Sequence, residues 1–212
     1  MSDSSNLVAK TLLELKCVQF SPNEPFTYAS GLKGPMYCDN RLLLSHPKER
    51  SLVIDLFIKV IEENNLSYDQ LAGLATAGIP HAAFIADRLK KPMLYIRSKA
   101  KGHGKGNQIE GRYKEGERLL LVEDLVNQGS SLEKAVLAAK ESALELSGCL
   151  SIVDYQMEQA HARLKKFDLT LFSLTDFTSL ADTALEMKLI DRTGREILEK
   201  WHAAPADWQA PL

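Results

Sequence analysis

Apolar positions along the chain alternate between helical spacing and short unbroken runs. Leu7 to Leu15 reads as a short amphipathic helix. A longer helix is predicted from Pro47 through Asn65, with Leu52, Val53, Leu56, Phe57, Val60 and Ile61 at helical spacing. Pro47 sits in its first turn, where a missing N–H is not needed. Helical spacing resumes from Ile79 to Leu89 and from Leu132 to Leu146. Between these segments lie compact apolar runs: Leu71 to Ala75, Pro92 to Ile96, Arg118 to Val122 and Leu150 to Val153. Short apolar runs alternating with longer helices predict βαβ units, and hence an α/β fold with a central, mostly parallel sheet flanked by helices. Ligands of such sheets bind beyond the carboxyl ends of the strands. The residues following Ala75, Ile96, Val122 and Val153 are therefore the ones to read for chemistry.

Composition narrows the function classes. The 212 residues, 45% hydrophobic, suffice for one sizeable core, and residues 1–212 are expected to form one domain. A formal net charge of -2 supplies no global field for nucleic acid or an anionic membrane, so any anion site must come from local charge. Cys17, Cys38 and Cys149 are too few and too scattered for a disulfide framework or a zinc site. His46, His81, His161 and His202 show no common metal-ligand spacing. Residues 1–10 lack the basic-then-apolar pattern of a signal peptide, and no apolar run approaches the roughly 18 residues of a membrane span. The expectation is a soluble cytoplasmic protein. Trp201 and Trp208 fall in an alanine- and proline-rich tail expected to pack on the body or a partner.

After Val122 come Glu123, Asp124, Leu125, Val126, Asn127, Gln128, Gly129, Ser130 and Ser131, then a helix. Adjacent carboxylates at the end of a buried strand need water, cations or hydroxyl donors. The loop behind them opens onto a helix N-terminus, whose free N–H groups and positive dipole end suit a phosphate. Acids that accept from sugar hydroxyls, then a phosphate cradle, describe a ribose-5-phosphate pocket. Ser130 to Glu133 also fits a capping box, with Ser130 as the cap and Glu133 reaching back. Capping accounts for the serines but leaves the acids without a reason.

Beyond Ile96, residues 97–111 carry Arg97, Lys99, Lys101, His103 and Lys105, with glycines at 102, 104 and 106. Alternating glycines predict a mobile loop rather than a helix or strand. The spacing fits neither a P-loop nor a dinucleotide fingerprint. In a chain of slightly negative charge, these cations point to a small polyanion.

Four apolar residues, two acids and a short polar loop with glycine and hydroxyls resemble the signature of type I phosphoribosyltransferases. The stretch 97–111 is similar to the catalytic loop of the orotate phosphoribosyltransferases. Phe26 to Arg41, with Ser30-Gly31 and then Pro35-Met36-Tyr37-Cys38-Asp39-Asn40-Arg41, resembles that family's N-terminal hood. Thr76-Ala77-Gly78-Ile79-Pro80 resembles its pyrophosphate loop. The resemblance covers residues 7 to 191. It implies transfer of 5-phosphoribosyl from phosphoribosyl pyrophosphate to orotate, with a hood formed largely by residues 1–45 and C-terminal elements. It also implies that Arg97, Lys99, Lys101 and His103 hold pyrophosphate, that residues 123–131 hold the sugar and its phosphate, and that Asn127, Tyr37 and Cys38 meet orotate. The resemblance implies that Lys101 and Asp124 carry the catalytic roles. Mg²⁺ is expected to arrive on the substrate pyrophosphate rather than in a protein cage. A homodimer is implied, with loop 98–109 reaching the neighbouring subunit.

Departures from the family pattern bear on base choice. Asn127 and Gln128 stand where hydroxyl or small residues are usual, Ala29 stands where many members carry lysine, and Tyr155 stands where many carry arginine. A phosphoribosyltransferase for a purine base and a non-catalytic sensor of phosphoribosyl pyrophosphate remain open on the sequence alone.

Overall fold

The computed structural model describes residues 3–28, 30–99 and 108–210. Lys101, His103, most of loop 98–109 and Ala29 lie outside them. The chain divides into two compact units, residues 1–49 with 175–212 and residues 50–174.

The first unit begins with α1 (Asp3–Glu14), whose Val8, Ala9, Leu12 and Leu13 are buried. Two small antiparallel pairs follow: β1 (Val18–Phe20) with β4 (Met36–Cys38), and β2 (Phe26–Thr27) with β3 (Lys33–Gly34). Asp39 then caps a 3₁₀ turn over Asn40–Ser45. Its carboxylate accepts from the Arg41 N–H at 3.2 Å, from Arg41 Nε at 2.6 Å and from Arg41 Nη2 at 2.8 Å. The Asp-x-Arg spacing of the hood segment thus closes a local clamp, and the guanidinium holds the Asp39 carboxyl below its usual range.

Helix α2 (Pro47–Glu63) leads into the second unit, whose remaining elements are β5 (Gln70–Leu74), α3 (Gly78–Leu89), β6 (Met93–Ile96), β7 (Ile109–Glu110), β8 (Arg118–Val126), α4 (Ser130–Glu141), β9 (Glu145–Asp154), α5 (Glu158–Lys165) and most of β10 (Leu171–Asp176). The sheet runs β10-β9-β8-β5-β6-β7. β5 is parallel to β6 and β8, β8 is parallel to β9, and β7 is antiparallel to β6. All five residues of β5 are buried, as are Leu119 to Val122 of β8, which fits strands covered on both faces.

Two of the boundaries that differ from the sequence expectation bear on the site. β8 does not end at Val122. Its ladder with β9 continues through Glu123↔Ser151, Leu125↔Val153 and Val126↔Asp154, so the acid pair lies inside a strand. The helix expected from Leu132 to Leu146 stops at Glu141. There the Ser142 N–H bonds back to helix carbonyls, Ala143 takes a left-handed φ of 54°, and Glu145 N–H joins Glu117 O at 3.0 Å to start β9. Buried Leu144 extends the helical spacing beyond the point where the backbone turns.

α6 (Phe177–Glu186) and α7 (Arg192–Ala203) return the chain to the first unit. Ser5 Oγ of α1 donates to Ser179 Oγ of α6 at 2.9 Å. Trp201 lies on α7, is buried, and packs on Phe177 with ring centroids 6.0 Å apart.

Candidate active site

The carboxyl ends of β5, β6, β8 and β9 gather the second unit's polar loops. Glu123 is buried at 8% exposure, and its Oε1 accepts the Asp124 N–H at 3.0 Å. Burial, with the Asp124 carboxyl beside it, pushes the Glu123 carboxyl well above the usual range. Asp124 beside it is only half-buried, so the two acids sit in different surroundings. Beneath them lies Cys149, buried, with its thiol pushed up by burial and by the Glu123 charge.

Behind the acids, Leu125 through Leu132 together with Glu123 line a cavity of about 230 Å³. Its floor is the start of α4. Gly129 precedes the helix with a left-handed φ of 73°, and its carbonyl accepts the Glu133 N–H at 2.9 Å, which completes the first helical turn. A side chain at 129 would strain that φ and press on α5, where an added Cβ would lie 3.0 Å from Ala160 Cα. The capping box does not form. No side chain caps α4, and the Glu133 carboxylate instead pairs with Nη1 of Arg163. Ser130 and Ser131 are exposed, so the turn of backbone that opens α4 is presented to the cavity without a capping side chain.

A second strand-to-helix turn follows β5. Ala75–Thr76 is a cis peptide bond, and α3 starts at Gly78. This helix start lies against β8: a Cβ on Gly78 would meet Val122 O at 2.2 Å and Glu123 Cα at 3.2 Å. The glycine brings the Thr76–Pro80 turn and the acid pair together. In the same helical turn His81 is 1% exposed, and its Nδ1 has no hydrogen-bond partner among the described residues. Burial lowers its pKa to about 4, with Asp124 opposing the shift and Arg50 adding to it.

Arg97 stands at the end of β6. Its Nη1 pairs with Glu110 Oε1 at 3.3 Å, and its N–H donates to Gln108 O at 2.8 Å. A small cavity of about 60 Å³ links Arg97 and Ser98 with Ser131 and Lys134 of α4. Lys99 is exposed. Tyr37 and Cys38 lie on β4 in the first unit, where Tyr37 packs against Phe26 and Cys38 Sγ lies 3.5 Å from Asn40 Oδ1. Tyr155 is buried, and its N–H donates to Val126 O at 2.8 Å, which continues the ladder behind the Asn127–Ser131 loop. Asp154 accepts from Gln156 N–H at 2.8 Å and bonds His161 Nε2 at 2.9 Å.

Among the described residues no group of three or more His, Cys, Asp or Glu side chains is arranged around a metal position, and no helix is long and apolar enough to cross a membrane. His81, expected on the surface or in the core, is buried; Lys134 and Arg163 are not picked out by sequence reasoning, and only Lys134, one turn into α4, carried a usable signal.

Residues 41–178 match the model of the phosphoribosyl transferase domain. The chain is 45% identical over 202 residues to the orotate phosphoribosyltransferase of Coxiella burnetii, covering 95% of this chain and 97% of that protein. It is 42% identical over 208 residues to the orotate phosphoribosyltransferase of Enterococcus faecalis, covering 98% of this chain and 99% of that protein. Among solved structures, the orotate phosphoribosyltransferase of Aeropyrum pernix superposes with a TM-score of 0.73 at 27% identity, over 87% of this chain and 99% of that one. The UMP synthase of Leishmania donovani superposes with a TM-score of 0.78 at 27% identity. That match covers 94% of this chain but only 42% of the longer synthase.

Proposed function

The chain belongs to the phosphoribosyltransferase family, and from that premise we propose that it is an orotate phosphoribosyltransferase of pyrimidine biosynthesis. It transfers 5-phosphoribosyl from phosphoribosyl pyrophosphate to N1 of orotate. The bond from C1 of the sugar to the pyrophosphate oxygen breaks, the bond from C1 to N1 forms, and orotidine 5'-monophosphate and pyrophosphate leave. The observation that carries this reading is one continuous segment, in which an acid pair inside β8 runs directly into a glycine-turned, uncapped helix start that lines a cavity.

In this reading the amides at the start of α4 hold the 5-phosphate, with Asn127 and Gln128 beside them. Asp124 accepts from a ribose hydroxyl and lies near the sugar as positive charge develops at C1. Glu123 accepts from the other ribose hydroxyl.

The pyrophosphate is assigned to the Thr76–Pro80 turn and to Arg97, Lys99, Lys101 and His103, and Mg²⁺ enters as part of that substrate. Lys101 and His103 rest on the sequence resemblance alone. Loop closure over the reacting centre excludes water, which would otherwise hydrolyse the activated sugar. Tyr37 and Cys38 are assigned to orotate, as is Asn127. The working form is a cytoplasmic homodimer in which loop 98–109 serves the neighbouring subunit. Relatives at 42–45% identity over nearly the whole chain, each named for orotate, favour this base over a purine and an enzyme over a sensor.

The test is orotate absorbance after mixing the purified protein with phosphoribosyl pyrophosphate, Mg²⁺ and orotate. The expected result is a decay that needs all three. Binding of the sugar pyrophosphate with no decay would overturn the orotate assignment.

A further inference from the structure

We propose that Arg163 is a positioning residue for the 5-phosphate end of the substrate: it holds the Glu133 carboxylate away from the amides that open α4. The inference rests on the phosphoribosyl reading of that loop, and it adds a residue that the loop sequence does not contain.

Glu133 presents a conflict. A carboxylate in the first turn favours the helix, because it faces the positive end of the dipole. Helical side chains also lean toward the N-terminus, so a free Glu133 would turn its charge toward Ser130 and Ser131. At the fourth helical position behind Gly129 it would leave that charge close to the amides that open α4. A phosphate at the same helix end needs those donors and is repelled by that charge.

Arg163 removes the conflict. Its Nη1 donates to Glu133 Oε2, and both side chains are largely sheltered, at 32% and 24% exposure. The contact is anchored by packing, since the α5 residue Ala160 lies directly under Gly129, and Arg163 Cδ is 3.6 Å from where a Cβ at 129 would sit. One helix therefore backs the phosphate loop and also draws off the competing anion. The pair is neutral as a unit, so Glu133 brings no net negative charge to the dipole end and its amides.

The experiment measures ribose 5-phosphate binding by calorimetry, with kcat and KM for phosphoribosyl pyrophosphate, on the wild type, Arg163→Ala, Glu133→Gln and the double variant. Arg163→Ala should weaken ribose 5-phosphate binding and raise KM by roughly 5- to 10-fold, the range a charge at a helix end carries, with kcat within about twofold. Glu133→Gln should bind at least as tightly as the wild type. The double variant leaves neither charge unpaired and should return to within about threefold of the wild type. Should Arg163→Ala fail to fold, the double variant alone decides: wild-type-like binding supports the inference, and tenfold weaker binding overturns it. Unchanged binding by Arg163→Ala, or a double variant as weak as the single one, would also overturn it. A wild type that does not bind ribose 5-phosphate would remove the phosphoribosyl reading itself.

Discussion

Gly78 and Val122 touch backbone to backbone: a single added carbon on Gly78 would lie 2.2 Å from the Val122 carbonyl oxygen. That contact joins the start of α3 to the strand segment just ahead of the acid pair. Gly78→Ala must therefore push α3 away from β8, because neither backbone is the flexible end of a side chain. The expected cost is about 2–3 kcal/mol of stability, together with a fall in turnover greater than unfolding alone explains. Denaturant melts and kcat on the same samples check this, and an alanine variant with wild-type stability and turnover would sink it.

His81 gives the fold an acid-side weakness. Its pKa is about 4 in the folded chain against an ordinary value of 6.5, so between those pH values the unfolded chain binds the proton and the folded chain does not. Stability should therefore fall as pH drops from 6.5 toward 4, by up to about 3 kcal/mol, and this group's contribution to the slope should vanish below pH 4. Urea melts across that window, compared with His81→Gln, isolate the contribution. An equally steep loss in the variant would assign it to another group.

Glu123 should separate stability from activity. Its folded pKa is raised, so its contribution to stability is greatest below the ordinary glutamate range and is lost as pH climbs through the folded value. Glu123→Gln removes that loss and should melt at or above the wild-type temperature at pH 8, while turnover drops by about tenfold or more. Asp124→Asn should also lower turnover with folding intact. Full activity in Asp124→Asn would end the assignment of this pair to the sugar.

Lys101→Ala is expected to lower kcat by roughly 10²-fold, about 2.7 kcal/mol at the transition state, if the loop lysine neutralises the departing pyrophosphate. Steady-state kinetics with saturating substrates check it, and an unchanged kcat would remove this lysine from the chemistry.

Much of the sheet was legible in the sequence because buried parallel strands leave unbroken apolar runs, and β5 and β6 fall within a residue or two of the expected segments. The end of β8 was not legible. Two charged residues look like the edge of a strand, yet Glu123 stays in the ladder opposite Ser151, and the energetic consequence appears as a raised pKa instead of as a break. The end of α4 was hidden for a different reason: Leu144 keeps the helical spacing while the Ala143 backbone has already reversed. In the site, Glu123 through Ser131 could be found because they are consecutive. Arg163 could not, since nothing in Ser130 to Glu133 tells whether the glutamate caps its own helix or pairs with an arginine thirty residues away. His81 shows no metal-ligand spacing in the sequence and lies in the core, where its setting is defined by burial and by Asp124.

The acid pair's place inside the ladder has a consequence for how this protein ages. A site mounted on a free loop can be lost and regained while the body stays intact, so activity and structure decay on separate clocks. Here Glu123 and the backbone that aims Asp124 are held by the same β8–β9 pairing that carries the buried centre of the sheet. Partial opening cannot spare that centre while disabling the acids. Opening of the β8–β9 ladder should therefore disable the acids and collapse the sheet in one event, read on one curve.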